Sequence, residues 1–358
     1  MYYLYPDYYK KFQCTADKCI DTCCAEWQIV IDDDHLEKYG NYKGGYKDTL
    51  CKNIDWEEGV FAHNKRGKCA FLRDDNLCDM YIHMGADSLC STCREYPRHT
   101  EEFENLREIT LSLSCPEVAK IVMNTTEPVT FISNEDDVDE SYEEFDYFLF
   151  SELEDVREEM IRIMQNRSVS IRDRIGKILQ AGASVQHHYD AGSLILWKES
   201  DETDRVCVKD EYEFFERLFL FLFEEFEILY PQWAEVLVES RLFLFSEGRE
   251  VFEQNKEEFE TWWNTSSLTP LEIVLEQLVV YFISVYLLGA VYDKNVLGKI
   301  DACIGHTIEI YLLLLGRWLK HGELTMDDVM EVVYCYSREI EHSDENLEFA
   351  EMLNWFER

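Results

Sequence analysis

From Tyr142 onward, apolar residues return every three or four positions. Phe145, Phe148, Leu149, Leu153, Val156, Met160, Ile163 and Met164 fall on one face with acidic residues between them, which predicts a helix over Tyr142–Gln165. Arg172–Ala181 continues the spacing. Phe214–Tyr230 is aromatic on one side, Glu224, Glu225 and Glu227 mark a wet side, and Pro231 is placed to end or kink that helix. Further helices are predicted over Glu235–Phe245, Glu250–Trp263, Thr269–Tyr292, Leu297–His321 and Thr325–Glu341. Thr269-Pro270-Leu271-Glu272 reads as a helix start, with Thr as N-cap and Pro at the first helical position. Thr325-Met326-Asp327-Asp328 reads as a start of the capping-box kind. No repeat of solenoid length recurs, and the aromatic stripes read as core.

The front of the chain has no such rhythm. Trp27–Ile31 is a short strand-like run. The triple Asp32-Asp33-Asp34 suits either a helix cap near His35 or a hard cation, and the cap is the simpler role. Gly40–Gly45 reads as loop, and the tyrosine-rich Tyr2–Tyr9 as a strand or loop laying rings on the helices. Between the two regimes, Asn134–Ser141 is polar and acidic, and its repelling charges suit a solvated linker. The expected architecture is mainly α. A small irregular cysteine-rich metal-binding domain over residues 1–130 leads through an acidic linker, 131–141, to a larger all-α helical domain, 142–358.

Charge narrows the partners. The chain carries 34 basic and 73 acidic residues, a net charge of −39. Residues 131–358 hold −31 of this and residues 1–130 only −8. Nucleic acid and anionic lipid are poor partners for such a field. Hydrophobic residues at 46% are enough for a real core. Met1–Gln13 lacks the apolar stretch of a secretory signal. The longest uncharged run, Gln277–Tyr292, has 16 residues, against about 20 for a membrane helix. The expectation is a cytoplasmic protein with neither a membrane nor a nucleic-acid partner.

Thirteen cysteines change the picture, because ten lie within the first 115 residues. One group is Cys14-x4-Cys19-x3-Cys23-Cys24; a second is Cys69-x8-Cys78-x11-Cys90-x2-Cys93, followed by Cys115. In a reducing compartment such clustering points to metal, while an exported chain would use it for disulfides. Thiolates suit zinc or iron–sulfur clusters. Only Cys90 and Cys93 form the close pair usual in zinc ribbons, so the spacing fits a cluster gathered from several loops. Nine candidate ligands exceed the four of one 4Fe–4S centre, so a second site or idle thiols must be allowed. Adjacent Cys23 and Cys24 are not both expected at one metal atom. Cys51 stands apart.

The cysteines and their neighbours carry a resemblance. Phe12-Gln13-Cys14-x4-Cys19-x-Asp21-Thr22-Cys23-Cys24-x2-Trp27, with Tyr5-Pro6-Asp7-Tyr8-Tyr9 before it, resembles the opening of the flagellin lysine-N-methylase family. Cys69-Ala70-Phe71-Leu72, Leu77-Cys78, Cys93-Arg94-Glu95-Tyr96-Pro97-Arg98 and Leu111-Ser112-Leu113-Ser114-Cys115-Pro116 agree with it. They are also similar to the broader CxxCxxCC group of zinc or iron–sulfur proteins. The motifs cover roughly residues 2–120. The resemblance implies methyl transfer from S-adenosylmethionine to lysine ε-amines of flagellin, and an iron–sulfur cluster, 4Fe–4S or, as the alternative, zinc.

That chemistry needs a neutral amine, whereas a lysine in water titrates near 10.4. The site must desolvate the amine or carry off its proton. No Rossmann-type glycine fingerprint appears, so the methyl donor is not expected on a parallel sheet. A strict Cys-x3-Cys-x2-Cys radical motif is absent too, because Cys24 directly follows Cys23. His83 and His99 lie near cysteines, and Arg94 and Arg98 flank Cys93 as candidate neutralisers of thiolate charge. His187-His188 offers no joint site, since adjacent side chains diverge. Two other functions compete: a non-enzymatic metal protein with a helical interaction domain, and an iron–sulfur redox module.

Overall fold

In a computed structural model of the chain, residues 1–25, 27–65, 67–137, 145–193, 210–353 and 355–356 are described. The front third contains β1 (Tyr2–Pro6), α1 (Asp33–Asn41), α2 (Lys47–Lys52), β2 (Ile54–Asp55), β3 (Val60–Phe61), α3 (Asp79–Met84), α4 (Ser91–Glu95), β4 (Arg98–Phe103), β5 (Leu106–Leu111), α5 (Pro116–Met123) and β6 (Phe131–Glu135). Ten helices follow: α6 (Tyr147–Met164), α7 (Ile171–Asp190), α8 (Glu211–Glu224), α9 (Pro231–Phe245), α10 (Arg249–Thr265), α11 (Leu271–Tyr286), α12 (Ala290–Asp293), α13 (Val296–His321), α14 (Met326–Glu341) and α15 (Asp344–Met352). The protein is mainly helical.

A four-stranded mixed sheet of order β4-β5-β1-β6 stands where an irregular front was expected. β1 runs parallel to β5, pairing Tyr2 with Leu106, and antiparallel to β6, pairing Tyr2 with Glu135. Hence Phe131–Glu135, at the start of the expected linker, is an edge strand. The rest of that acidic run, from residue 138, lies outside the described residues. Trp27–Ile31 makes isolated bridges and no strand, Val30 pairing with Val60. Its backbone is held at Ile31 N to Gly59 O, 2.8 Å, and Phe61 N to Ile29 O, 3.1 Å.

Two hydrophobic cores divide the molecule. The larger joins Tyr8, Phe103, Leu111, Leu113, Val118 and Val122 to the helices. The smaller gathers Ile29, Ile31, Tyr39, Leu50, Phe61 and Phe71 with Cys69 and Cys90. The sheet and α5 therefore pack with the helices, and the satellite core lies within residues 24–93 rather than 1–130. A buried ion pair bolts sheet to helix: Arg157 of α6 donates twice to Glu108 of β5, both at 2.6 Å.

α13 is the central helix, packing on α7, α9, α11 and α15. Close approach needs glycine here. A Cβ on Gly305 would meet the Trp355 ring at 2.4 Å, and one on Gly182 would meet Ile300 at 2.9 Å. Leu271–Asp293 and Val296–His321 are long and apolar enough to cross a membrane, and 78% of each apolar window is buried inside the fold.

Most helix expectations match in place, with differences before α9 and at the start of α11. Pro231 opens α9 rather than ending the preceding helix, which stops at Glu224. The intervening backbone is held from afar: Glu339 accepts from Leu229 N and Tyr230 N, both 2.9 Å, and Asn346 Oδ1 accepts from Glu227 N at 2.8 Å. α11 starts at Leu271 with Pro270 in the cap position, so Thr269 does not cap it. The Thr325–Asp328 capping box forms, and Asp32 caps α1 through His35 N.

Candidate metal centre and its junction with the helices

The described cysteines are all free thiols. Cys78, Cys90 and Cys115 occupy the cap positions of α3, α4 and α5. First-turn amides face these sulfurs: Tyr81 and Met80 toward Cys78, Cys93 toward Cys90, Val118 and Glu117 toward Cys115. Such donors favour thiolate. Burial works against them, pushing Cys69 up to about 12 and Cys115 up to about 11. Cys24 is drawn down to about 7, chiefly because Cys23 donates a hydrogen bond to it. A soft cation is what would let such buried sulfurs ionise.

Five of the nine candidate thiols, Cys24, Cys69, Cys78, Cys90 and Cys93, lie in or against the satellite core. Cys24 O accepts from Cys69 N at 2.9 Å, Cys69 O accepts from Leu72 N at 2.9 Å, and Leu72 bridges to Cys78. Cys90 and Cys93 complete that neighbourhood in the satellite core. Cys14, Cys19 and Cys23 lie near Cys115, and Cys23 also contacts Cys24 through its thiol. Cys14 faces the first turns of α5 across a groove of about 720 Å³ lined by Lys11, Asp17, Lys18, Glu117 and Lys120. Cys19 Sγ donates to Asp21 O at 3.0 Å. Among the described residues, no three His, Cys, Asp or Glu side chains converge tightly enough to hold a single ion. A lone zinc ion would need sulfurs about 4 Å apart.

The flanking charges are not those expected. Arg94 pairs with Ser91 and Glu95 in solvent. Arg98 lies over the Tyr9 and Phe12 rings. The cation on the cysteine segment is Arg338 of α14, 4% exposed. It donates to Asp21 Oδ2 at 2.5 Å, to Asp21 O at 3.2 Å and to Ser114 O at 3.0 Å. His83 binds Asp79 O at 2.9 Å and stacks on Tyr46. His99 pairs with Glu101 at 2.5 Å. His188 turns to Ser193 Oγ at 3.1 Å, with its ring at 62° to that of His187. Cys51 stays apart, its carbonyl accepting from Trp56 Nε1 at 3.0 Å.

The non-cysteine members of the motifs build a second feature. Trp27 donates to Cys23 O at 2.7 Å and stacks on His342 at 4.6 Å. Tyr96 OH and His342 Nε2 both reach Ser114 Oγ, at 3.0 and 3.1 Å. Ser114 Oγ lies 2.6 Å from Ser112 Oγ, and Ser112 donates to Glu341. Tyr281 OH donates to both Glu341 oxygens at 3.0 Å. Burial, with Cys115 and Cys23 close by, raises the Tyr96 hydroxyl well above its ordinary value. A polar chain thus runs from the thiols to Glu341 at the end of α14. Desolvation raises Glu341 to about 7, against hydrogen bonds from Ser112 and Tyr281 that favour its anion. It is half-buried, deep among protein atoms yet not sealed. Burial draws His342 down to about 3, so that ring is neutral. Glu341, His342, Tyr281 and Arg338 escape sequence reasoning, because they are ordinary residues of helix faces until the cysteine segments fold against them.

Fold and site define a mainly helical protein whose thiol-rich front segment docks on the end of a helical core. The family model of the FliB lysine N-methylase C-terminal domain matches residues 157–357, more than half the chain, and the chain belongs to that family. A flagellar biosynthetic protein FliU of Salmonella muenchen is 30% identical over 128 residues, covering 33% of this chain and 75% of that protein. Lysine-N-methylases of Salmonella typhimurium (strain LT2) and Salmonella choleraesuis (strain SC-B67) are each 30% identical over 128 residues. Those matches cover 33% of this chain and 32% of either enzyme, so the matched stretch spans about a third of each. No solved structure matches.

Proposed function

We propose that the chain is a protein-lysine N-methyltransferase that moves methyl groups from S-adenosylmethionine to lysine ε-amines of flagellin, with an iron–sulfur cluster of the 4Fe–4S type on its thiols. Family membership and the methylase names of the relatives support the reaction class. The observation that carries the reading is Glu341, a carboxyl poised near neutrality beside the thiol segment. A lysine amine attacks the methyl carbon only when neutral. Glu341 is the group that takes its proton as the sulfur–carbon bond breaks and the nitrogen–carbon bond forms. Ser112 and Tyr281 hold the carboxylate in place by the hydrogen bonds already described. Neutral His342, Trp27 and Tyr96 supply the apolar wall that keeps water from the amine.

The groove beside Cys14 suits the methyl donor. Lys11, Lys18 and Lys120 would meet its carboxylate, and Asp17 and Glu117 its ammonium and sulfonium. The donor set for the cluster is all-thiol, buried or half-buried apart from Cys14, and served by backbone amides. Bound there, a cluster supplies a one-electron centre and a rigid tie between loops. The acidic helical region would draw the lysine-bearing surface of the substrate. The full chain, purified without oxygen, should place label from methyl-labelled S-adenosylmethionine on flagellin lysines. No label, with the thiol-bound metal intact, overturns the reading.

A further inference from the structure

We infer that the cavity at the N-terminal end of α11 binds a small carboxylate-bearing amine, a ligand of the amino-acid class. It shares no lining residue with the groove beside Cys14, and the inference does not rest on the methyl-transfer reading. The cavity holds about 370 Å³, and α7, α10, α11 and α13 each give it a wall. That volume is in the range of small-molecule sites. Its anion-binding end has two independent parts. The first is the end of α11, a 16-residue helix with no side-chain cap. Its first backbone bonds, from Ile273 N at 2.9 Å and Val274 N at 3.0 Å, both go to Pro270 O. Among the described residues no acceptor takes the amides of Leu271 and Glu272, and both residues line the cavity. Free amides at a helix start carry partial positive charge and suit a carboxylate.

The second part is Arg174, which lines the same cavity and is only 1% exposed. Its Nη1 donates to Met164 O at 2.5 Å and to Glu276 Oε2 at 2.7 Å, and its Nη2 to Glu272 Oε2 at 3.1 Å. Its buried Nε has no partner among the described residues. An unpaired buried guanidinium N–H is costly, and a ligand oxygen would satisfy it. An ion-pair clamp between α7 and α11 accounts for the Nη bonds, but not for the idle Nε or for the open space beside it. A bare anion does not fit the site. Arg167 and Arg174 share the buried Glu276, with Arg167 Nη2 at 2.8 Å from its Oε1. Glu260 and Glu272 line the cavity as well. Two cations against three carboxylates leave one negative charge in excess, so the ligand must bring positive charge too. Glu260, held by Tyr311 OH at 3.0 Å, and the half-exposed Glu272 are the acceptors for its amine.

A free amino acid and the amino-acid end of a nucleoside thioether share this chemistry. Calorimetry on the full chain separates them with three probes: L-lysine, S-adenosylhomocysteine and inorganic phosphate. One or both of the amines should bind, and phosphate should not. Binding should slow hydrogen exchange in peptides spanning residues 271–275, where the ligand takes the free amides. Arg174→Lys keeps a cation beside Glu276 but has no Nε, and should weaken binding about tenfold. Glu260→Gln keeps an acceptor for Tyr311, removes only the charge, and should weaken binding by a similar factor. It leaves the Arg174 contacts untouched, so it reports on the site even where Arg174→Lys fails to fold. No binding of either amine overturns the inference. So does binding that ignores both variants, because the probe then sits elsewhere, as in the groove beside Cys14. Phosphate bound as tightly as the amines overturns the amino-acid class.

Discussion

Glu341 owes its character to the contacts its two oxygens make. Ser112 and Tyr281 hold it, and burial lifts it from an ordinary 4.5 to about 7. The folded chain therefore binds this proton more tightly than the unfolded chain does. The stability this contributes is complete below pH 4.5 and is lost as pH rises to about 7, at most about 3 kcal/mol. Glu341→Gln removes that slope. Urea denaturation should show variant and wild type alike near pH 4.5 and the variant the more stable above pH 7. Activity should run the other way, since a base works ionised. Methyl transfer by the wild type should climb through pH 7, and Glu341→Gln should lower it by roughly 10²-fold with metal content unchanged. Sequence motifs marked its partner Ser112 and, further along the polar chain, Trp27, Tyr96 and Ser114, but nothing local marks Glu341, one glutamate among many on a helix.

Among the elements, helices were the legible part and their ends less so. The three- and four-residue rhythm is a local property, so α6, α10, α13 and α14 lie within a few residues of expectation. α8 stops early because Glu339 and Asn346, more than a hundred residues away, satisfy the backbone of residues 227–230. α15 is short and weakly patterned, and no sequence signal marks it. The sheet was illegible for a like reason: β1 pairs with β5 and β6 across more than a hundred residues, and five tyrosine-rich residues carry no sign of that partner. Packing of α13 against the C-terminal segment gives a sharp test. Gly305→Ala drives a methyl group into the Trp355 ring and should cost about 1–3 kcal/mol in chemical denaturation, without altering metal content.

For the molecule as a whole, charge and metal make the checkable statements. With −31 concentrated after residue 130, encounter with a lysine-bearing surface should weaken as salt is added. The kcat/KM for flagellin should fall with ionic strength while kcat changes little; a flat profile rejects steering. Protein purified without oxygen should be brown, with iron and sulfide in comparable amounts. Cys93→Ala should lose metal, and Cys303→Ala, in the middle of the helical core, should keep it.

Helical character, an acidic surface and a thiol-rich front were already written in the order of residues, because each depends on composition or on neighbours a turn apart. Which thiols share a core, which arginine reaches their segment and which carboxyl is raised toward neutrality were decided only when distant segments closed on one another. Those outcomes depend on burial and on contacts across hundreds of residues, and no short stretch of chain carries either.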